Sequence, residues 1–163
     1  MNKENKNTDN LPSVDELCEI TATFLEGGLT FKHLKNISDD DMEGIYSVGY
    51  SLYNNGKYDD AEKVFQFLTY FDHYSRKYWM GLGATWQMAK KHKKATEAYA
   101  MATLLDVHDP MPYLHAADCL LAQGDVENAK SALMGAVKYS GKSKEIKERA
   151  QALLDFLNKD ESK

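Results

Sequence analysis

The chain has 163 residues, with 20 Lys and Arg against 25 Asp and Glu, which gives a formal charge of −5. That acidity argues against an electrostatic grip on nucleic acid or anionic lipid, and no run approaches the ~20 apolar residues needed to cross a bilayer. The two cysteines, Cys18 and Cys119, form no CxxC pair and fit a reducing cytosol, so the expected location is cytoplasmic.

In chain order, residues 1–12 are polar, lack the apolar stretch of a secretory signal and read as a disordered N-terminus. Ser13 with Glu16 forms a capping-box pattern, followed at helical spacing by Val14, Leu17, Cys18, Thr21, Phe24 and Leu25, and Gly27-Gly28 ends that helix. Thr30 to Asn36 has room for another turn or two. Ser38-Asp39-Asp40-Asp41 then places carboxylates at the positive end of the next helix. Beyond it, apolar residues recur at i, i+3, i+4 and i+7, strand-like alternation is absent and β-branched residues are sparse, so the fold class is all-α. Ile146, Ala150, Leu153, Leu154 and Leu157 mark a C-terminal capping helix over 144–157, and residues 158–163 read as a disordered tail.

Between these flanks one register repeats every 34 residues, in blocks 42–75, 76–109 and 110–143. The fourth residue of the blocks is Ile45, Trp79 and Tyr113; the seventh Val48, Leu82 and Ala116; the eighth Gly49, Gly83 and Ala117; the eleventh Leu52, Trp86 and Leu120. The twentieth is Ala61, Ala95 and Ala129, the twenty-fourth Phe65, Tyr99 and Leu133, and the twenty-seventh Leu68, Ala102 and Ala136. The pattern resembles the tetratricopeptide repeat, although the proline usual near position 32 is replaced by His73, Val107 and Gly141. Small residues at positions 8 and 20 let the two helices of a repeat approach closely, and stacking of neighbouring repeats supplies the core that one hairpin cannot. Asn54-Asn55-Gly56 and Gln123-Gly124-Asp125 read as intra-repeat turns, and Asp109-Pro110 as the cap and first-turn proline of the third repeat. The expected architecture is therefore one domain over 13–157: an N-terminal helix, three helix-turn-helix repeats and a capping helix.

At 100° per residue, core positions 4, 7, 8 and 11 of the first helix of each repeat occupy about 140° to 240°, whereas positions 2, 5, 9 and 12 fall at about 280° to 360°. The second face lines the concave side of a stack. It reads Glu43, Tyr46, Tyr50, Tyr53; then Lys77, Met80, Ala84, Gln87; then Met111, Leu114, Asp118, Leu121. Three tyrosines continued by Met and Leu make an amphipathic groove suited to an extended chain, because tyrosine supplies contact area with few torsions to freeze. The competing reading packs these tyrosines against the N-terminal helices as ordinary core. Tyr58, Phe71 and Tyr99 extend either the groove or the core, Tyr99 standing at a core position of the register.

A more specific resemblance rests on Gly27-Gly28, Ile37-Ser38, Ile45-Tyr46-Ser47, Leu52-Tyr53-Asn54-Asn55-Gly56-Lys57-Tyr58, Ala61-Glu62-Lys63-Val64-Phe65-Gln66, Asp72-His73-Tyr74, Met80-Gly81-Leu82-Gly83-Ala84 and His115-Ala116-Ala117-Asp118-Cys119-Leu120-Leu121. Over about residues 13–157 the chain resembles the class II chaperones of bacterial type III secretion. The resemblance implies a cytoplasmic protein that binds an extended N-terminal segment of hydrophobic translocators, typically with a Pro-x-Leu-x-x-Pro motif, in the concave groove before export. It implies that Tyr46, Tyr50 and Tyr53 are groove aromatics, with Phe71 and Tyr99 as further matches. It also implies a homodimer through the N-terminal helix, with Leu17, Thr21, Phe24 and Leu25 as its interface, and in some members an AraC-type activator as a second partner.

The residues themselves name no enzyme, cofactor or metal. His33, His73, His92, His108 and His115 are scattered without HExxH or Cys/His spacing, and no GxxxxGK[ST] or GxGxxG occurs. Lys90-Lys91-His92-Lys93-Lys94 reads as a solvated turn, or else as a docking patch for an acidic partner. The alternative to a secretion chaperone is a general tetratricopeptide scaffold such as a carboxylate clamp, or a co-regulator of a transcription activator; a clamp would find only Lys77 basic on the groove face.

Overall fold

The computed structural model describes Ser13, Asp15, residues 30–141 and residues 143–160. Among them stand eight helices and no strand: α1 (Phe31–Leu34), α2 (Asp39–Asn54), α3 (Tyr58–Phe71), α4 (Arg76–Met88), α5 (His92–Leu105), α6 (Pro110–Ala122), α7 (Val126–Tyr139) and α8 (Lys144–Asp160). The expected N-terminal helix, with Cys18, Leu17, Thr21, Phe24 and Leu25, lies outside the described residues.

Several helix starts have a local cause. The Ser38 hydroxyl accepts from the Asp41 N–H at 3.1 Å while the Asp41 carboxylate accepts from the Ser38 N–H at 3.2 Å, closing a capping box at α2. Hydrogen bonds from the Ser38 hydroxyl and N–H hold the Asp41 carboxyl below the usual carboxylate range. Asp109 caps α6 by accepting from the Met111 N–H at 2.8 Å, with Pro110 and Pro112 in the first turn, and Asp125 caps α7 through the Asn128 N–H at 3.2 Å. The short α1 is tied down by Lys32, which reaches Asp39 at 2.6 Å and Asp72 at 3.1 Å and so joins the start of α2 to the end of α3.

Helices α2/α3, α4/α5 and α6/α7 form three antiparallel hairpins, and α8 packs against α7 and α6 where a fourth repeat would begin. Position 20 is fully buried in every repeat, as are Phe65 and Tyr99 at position 24. The small residues opposite them are sterically required. A Cβ on Gly83 would stand 2.7 Å from the Tyr99 ring, and one on Gly81 would stand 2.4 Å from Phe65. One core cluster runs from Met42 through Phe65, Leu82 and Tyr99 to Cys119, and a second joins Leu114, Ala117, Leu133 and Ala136 to Ala150 and Leu154 of α8. Burying each large side chain is worth roughly 1.5–3 kcal/mol.

Two expectations need correcting. Val48, placed in the core at position 7, is 54% exposed, whereas Leu82 and Ala116 at the same position are buried. Leu82 and Ala116 sit under the second helix of a preceding repeat, and no repeat precedes α2 among the described residues. The C-terminal helix also runs to Asp160, past the predicted end at Leu157.

Position 15 carries a further rule. Gly56 and Gly124 adopt φ of +71° and +77°, and the equivalent residue of the second repeat, Lys90, is forced to +60°. A side chain in that left-handed conformation costs about 1 kcal/mol. Lys90→Gly is therefore expected to stabilise the protein by about 0.5–1 kcal/mol, raising the thermal midpoint by about 2 °C. A thermal melt by circular dichroism checks this, and an unchanged or lowered midpoint contradicts it.

Candidate functional site

The concave side of the first two repeats holds a hollow of about 360 Å³. Helix α2 contributes Tyr46, Tyr50 and Tyr53, α4 contributes Arg76, Lys77, Met80, Gly81 and Ala84, Met111 enters from α6, and Phe65 of α3 forms part of the floor. The tyrosines stand three and four residues apart, so one helical stripe presents them together. Tyr50 is 53% exposed, while Tyr46 is half-buried with its ring edge-on to Phe65 at 5.8 Å and stacked with Tyr50 at 6.4 Å. Tyr53 is half-buried against Tyr58, and burial pushes its phenol up.

Two cations border this apolar surface, and both are compensated. The Lys77 ammonium pairs with Glu43 across the α2–α4 cleft, which raises the lysine's pKa, and lies 4.7 Å above the Tyr46 ring and 5.4 Å from Tyr78. Arg76 pairs with Asp109, the cap of α6. The hollow therefore offers aromatic and aliphatic area with no uncompensated charge.

The remaining predicted positions are distributed differently. Tyr58 backs Tyr53 rather than lining the hollow. Phe71 stacks on Phe67 at 4.3 Å and meets Tyr70 edge-on at 5.5 Å, in a separate aromatic group at the end of α3. Tyr99 has no exposed surface; its hydroxyl donates to Gln87 Oε1 at 2.7 Å, so it fixes Gln87 from behind. Leu114 is only 2% exposed, buried in the second core with Ala150 and Leu154 of α8. Asp118 accepts from Arg149 of α8 at 2.8 Å, and Leu121 is half-buried on α6. The dimer-interface residues Leu17, Thr21, Phe24 and Leu25 lie outside the described residues.

Three lining residues escaped sequence reasoning. Arg76 occupies position 1, which falls only about 40° from position 5 at 100° per residue, so a wider arc would have included it. Gly81 and Phe65 act together: the missing side chain on α4 leaves an opening through which a core ring reaches the groove floor. Lys91 and Lys94 of the basic turn pair inward with Glu62, at 2.5 and 3.9 Å. Among the described residues no group of three or more His, Cys, Asp or Glu is placed to hold a metal ion, and no helix is long and apolar enough to cross a membrane. Cys119 is buried, and its thiol is pushed up to about 11, chiefly by burial.

The tetratricopeptide repeat model matches residues 42–75 and 77–109. The chain is 39% identical over 135 residues to the low calcium response locus protein H of Yersinia pestis, covering 83% of this chain and 80% of that one. It is similar to the crystal structure of the type III secretion translocator chaperone SycD of Yersinia enterocolitica in an alternative dimer, with a TM-score of 0.72 and 35% identity over 78% of this chain and 98% of that one. It is also similar to PcrH in complex with the chaperone binding region of PopD, with a TM-score of 0.73 and 34% identity over 77% of this chain and 96% of that one.

At the far end of the concave face His115 stacks on Tyr99 at 5.2 Å, with its Nδ1 buried and unpartnered. Burial lowers its pKa below the ordinary value; Asp118 opposes that shift and Arg149 reinforces it. Because the folded pKa is depressed, the unfolded chain binds the extra proton, and stability present above the unfolded value near 6.5 is lost as pH falls. The urea midpoint is expected to drop between pH 7.5 and 5.5, and to drop less in His115→Phe, which keeps the ring stack. An equal drop in both proteins removes His115 as its source.

Proposed function

The chain belongs to the type III secretion translocator chaperones of the tetratricopeptide-repeat family, and from that premise we propose how it performs that task. It takes an extended N-terminal segment of a hydrophobic translocator into the hollow between α2 and α4 and keeps that partner soluble until export. The observation that carries this reading is the tyrosine stripe of Tyr46, Tyr50 and Tyr53 facing Met80, Ala84 and Met111, bordered by cations that already have counter-ions. Such a surface favours an apolar strand, and both of its cations already have carboxylate counter-ions, which weighs against a carboxylate clamp. The role is binding rather than catalysis, and the site of action is the bacterial cytoplasm. An AraC-type activator is a second partner in this reading, engaged once cargo has left.

Tyr50 is the sharpest probe, being the most exposed ring of the stripe and therefore the least needed for folding. Calorimetric titration with an extended Pro-x-Leu-x-x-Pro peptide is expected to give micromolar binding, on the order of −8 kcal/mol. Tyr50→Glu, with helicity unchanged, should lose at least tenfold, about 1.4 kcal/mol, in affinity. Equal binding by both proteins places the peptide elsewhere, and no binding by either favours the general scaffold.

We also propose a homodimer through the amphipathic segment that carries Leu17, Thr21, Phe24 and Leu25. A charge on an apolar stripe buried between protomers is costly. Phe24→Glu should therefore sediment as a monomer at concentrations where the parent is a dimer, and an unchanged dimer moves the interface elsewhere.

A further inference from the structure

The groove uses one side of α4, and the opposite side forms a second furrow with α3. Its floor is Leu82 and Trp86, both buried, and its walls include Trp79, Tyr70, His73 and Phe31 of α1, with Thr69 between them. Trp79 and Trp86 are the chain's only tryptophans, and seven residues of helix set them about 10 Å apart along the furrow. Two of its polar groups are committed within the protein: Trp79 Nε1 donates to the His73 carbonyl at 2.8 Å, and the Thr69 hydroxyl donates to the Gln66 carbonyl at 3.1 Å. Phe31 stacks on one face of Tyr70 at 4.8 Å, and Tyr70 still leaves 61% of its surface exposed, so aromatic area stands available on the outside of the molecule.

The Trp86 end is bounded by charge. Lys94 lies 5.5 Å from the Trp86 ring, and Lys91 and Lys94 share Glu62. Lys90 and Lys93, in the same turn, are exposed and form no ion pair among the described residues. In a chain of net −5 this turn is locally positive: Lys90, Lys91, Lys93 and Lys94 follow one another closely, and among the described residues only Lys91 and Lys94 are paired, with Asp59 and Glu62. Aromatic-walled furrows receive proline-containing extended segments, whose rings pack on indole faces with little ordering cost. Unpaired lysines in the turn that follows Trp86 favour acidic neighbours of that segment.

We propose that the outer furrow between α3 and α4 is a second docking site, which takes an acidic, proline-containing extended segment of a partner protein. The prolines lie over Trp86, between Trp79 and Tyr70, and the acidic residues face Lys90 and Lys93. The site shares no lining residue with the concave hollow, so it works with the groove filled or empty.

The two tryptophans make the site its own reporter. The test titrates the full chain with a synthetic peptide carrying two glutamates on each side of a Pro-Pro-Leu-Pro centre and no aromatic residue, and follows tryptophan emission. A saturable change in emission is expected. Lys90→Glu/Lys93→Glu should weaken it about fivefold or more, since both charges are exposed and their reversal leaves folding intact. Tyr70→Ala should weaken it as well, whereas Tyr50→Glu and prior saturation with the Pro-x-Leu-x-x-Pro peptide should leave it unchanged. The proposal is overturned by an emission trace that never moves, by equal affinity for a peptide with glutamine in place of glutamate, or by loss of binding in Tyr50→Glu. An emission change that appears only when residues 1–29 are deleted also overturns it, by showing the furrow to be filled by the chain's own N-terminal segment. Calorimetry of the groove peptide in the same preparation keeps failure of this site distinct from failure of the groove.

Discussion

The structure depends on how closely two helices approach within a repeat. Alanine at position 20 and glycine or alanine at position 8 bring the helices of each hairpin together, and the large residue at position 24 fills the remaining space. In the second repeat the constraint extends to position 6, because Phe65 of the first repeat lies directly under Gly81. One ring thus serves both as core of the first hairpin and as floor of the concave hollow. Stability and groove shape are consequently coupled at Phe65: a smaller side chain there would leave a core cavity costing about 3–5 kcal/mol and open the floor of the hollow.

What was legible from sequence is what repeats. The 34-residue period locates the three hairpins and the buried alanines, because each such position is set by contacts that recur in every block. The tyrosine stripe follows from helical spacing alone. What escaped comes from the ends of the array and from contacts between distant segments. Val48 obeys the register but has no preceding repeat among the described residues to cover it. Leu114 and Asp118 belong by angle to the concave face, yet α8 buries the first and pairs with the second through Arg149, 31 residues away. Lys90 breaks the glycine rule of position 15, which becomes visible only as a backbone angle.

Charge placement explains how an acidic protein can present apolar surface on its concave side. Glu43 and Asp109 neutralise Lys77 and Arg76 at the border of the hollow, so the cations shape it without demanding an anionic ligand. Lys77 also rests on the Tyr46 ring, which holds a tyrosine in place by electrostatics rather than by burial. Ion pairs open to solvent, as Lys77–Glu43 is, add little to stability. Their value lies in fixing the positions of groups that a ligand meets.

Helix α4 carries two surfaces of opposite aromatic character. Lys77, Met80, Gly81 and Ala84 face the concave hollow, and Trp79, Leu82 and Trp86 face the outer furrow. At 100° per residue a single straight helix can serve both, provided its residues divide between two arcs as these do. Between the arcs run Tyr78, Gly83 and Thr85, all buried, which lock the helix against its neighbours. Packing of that density resists deformation, so filling one face does not remodel the other unless α4 moves as a whole. That rigidity allows a partner to be held on the outside of the stack while an extended cargo occupies the inside.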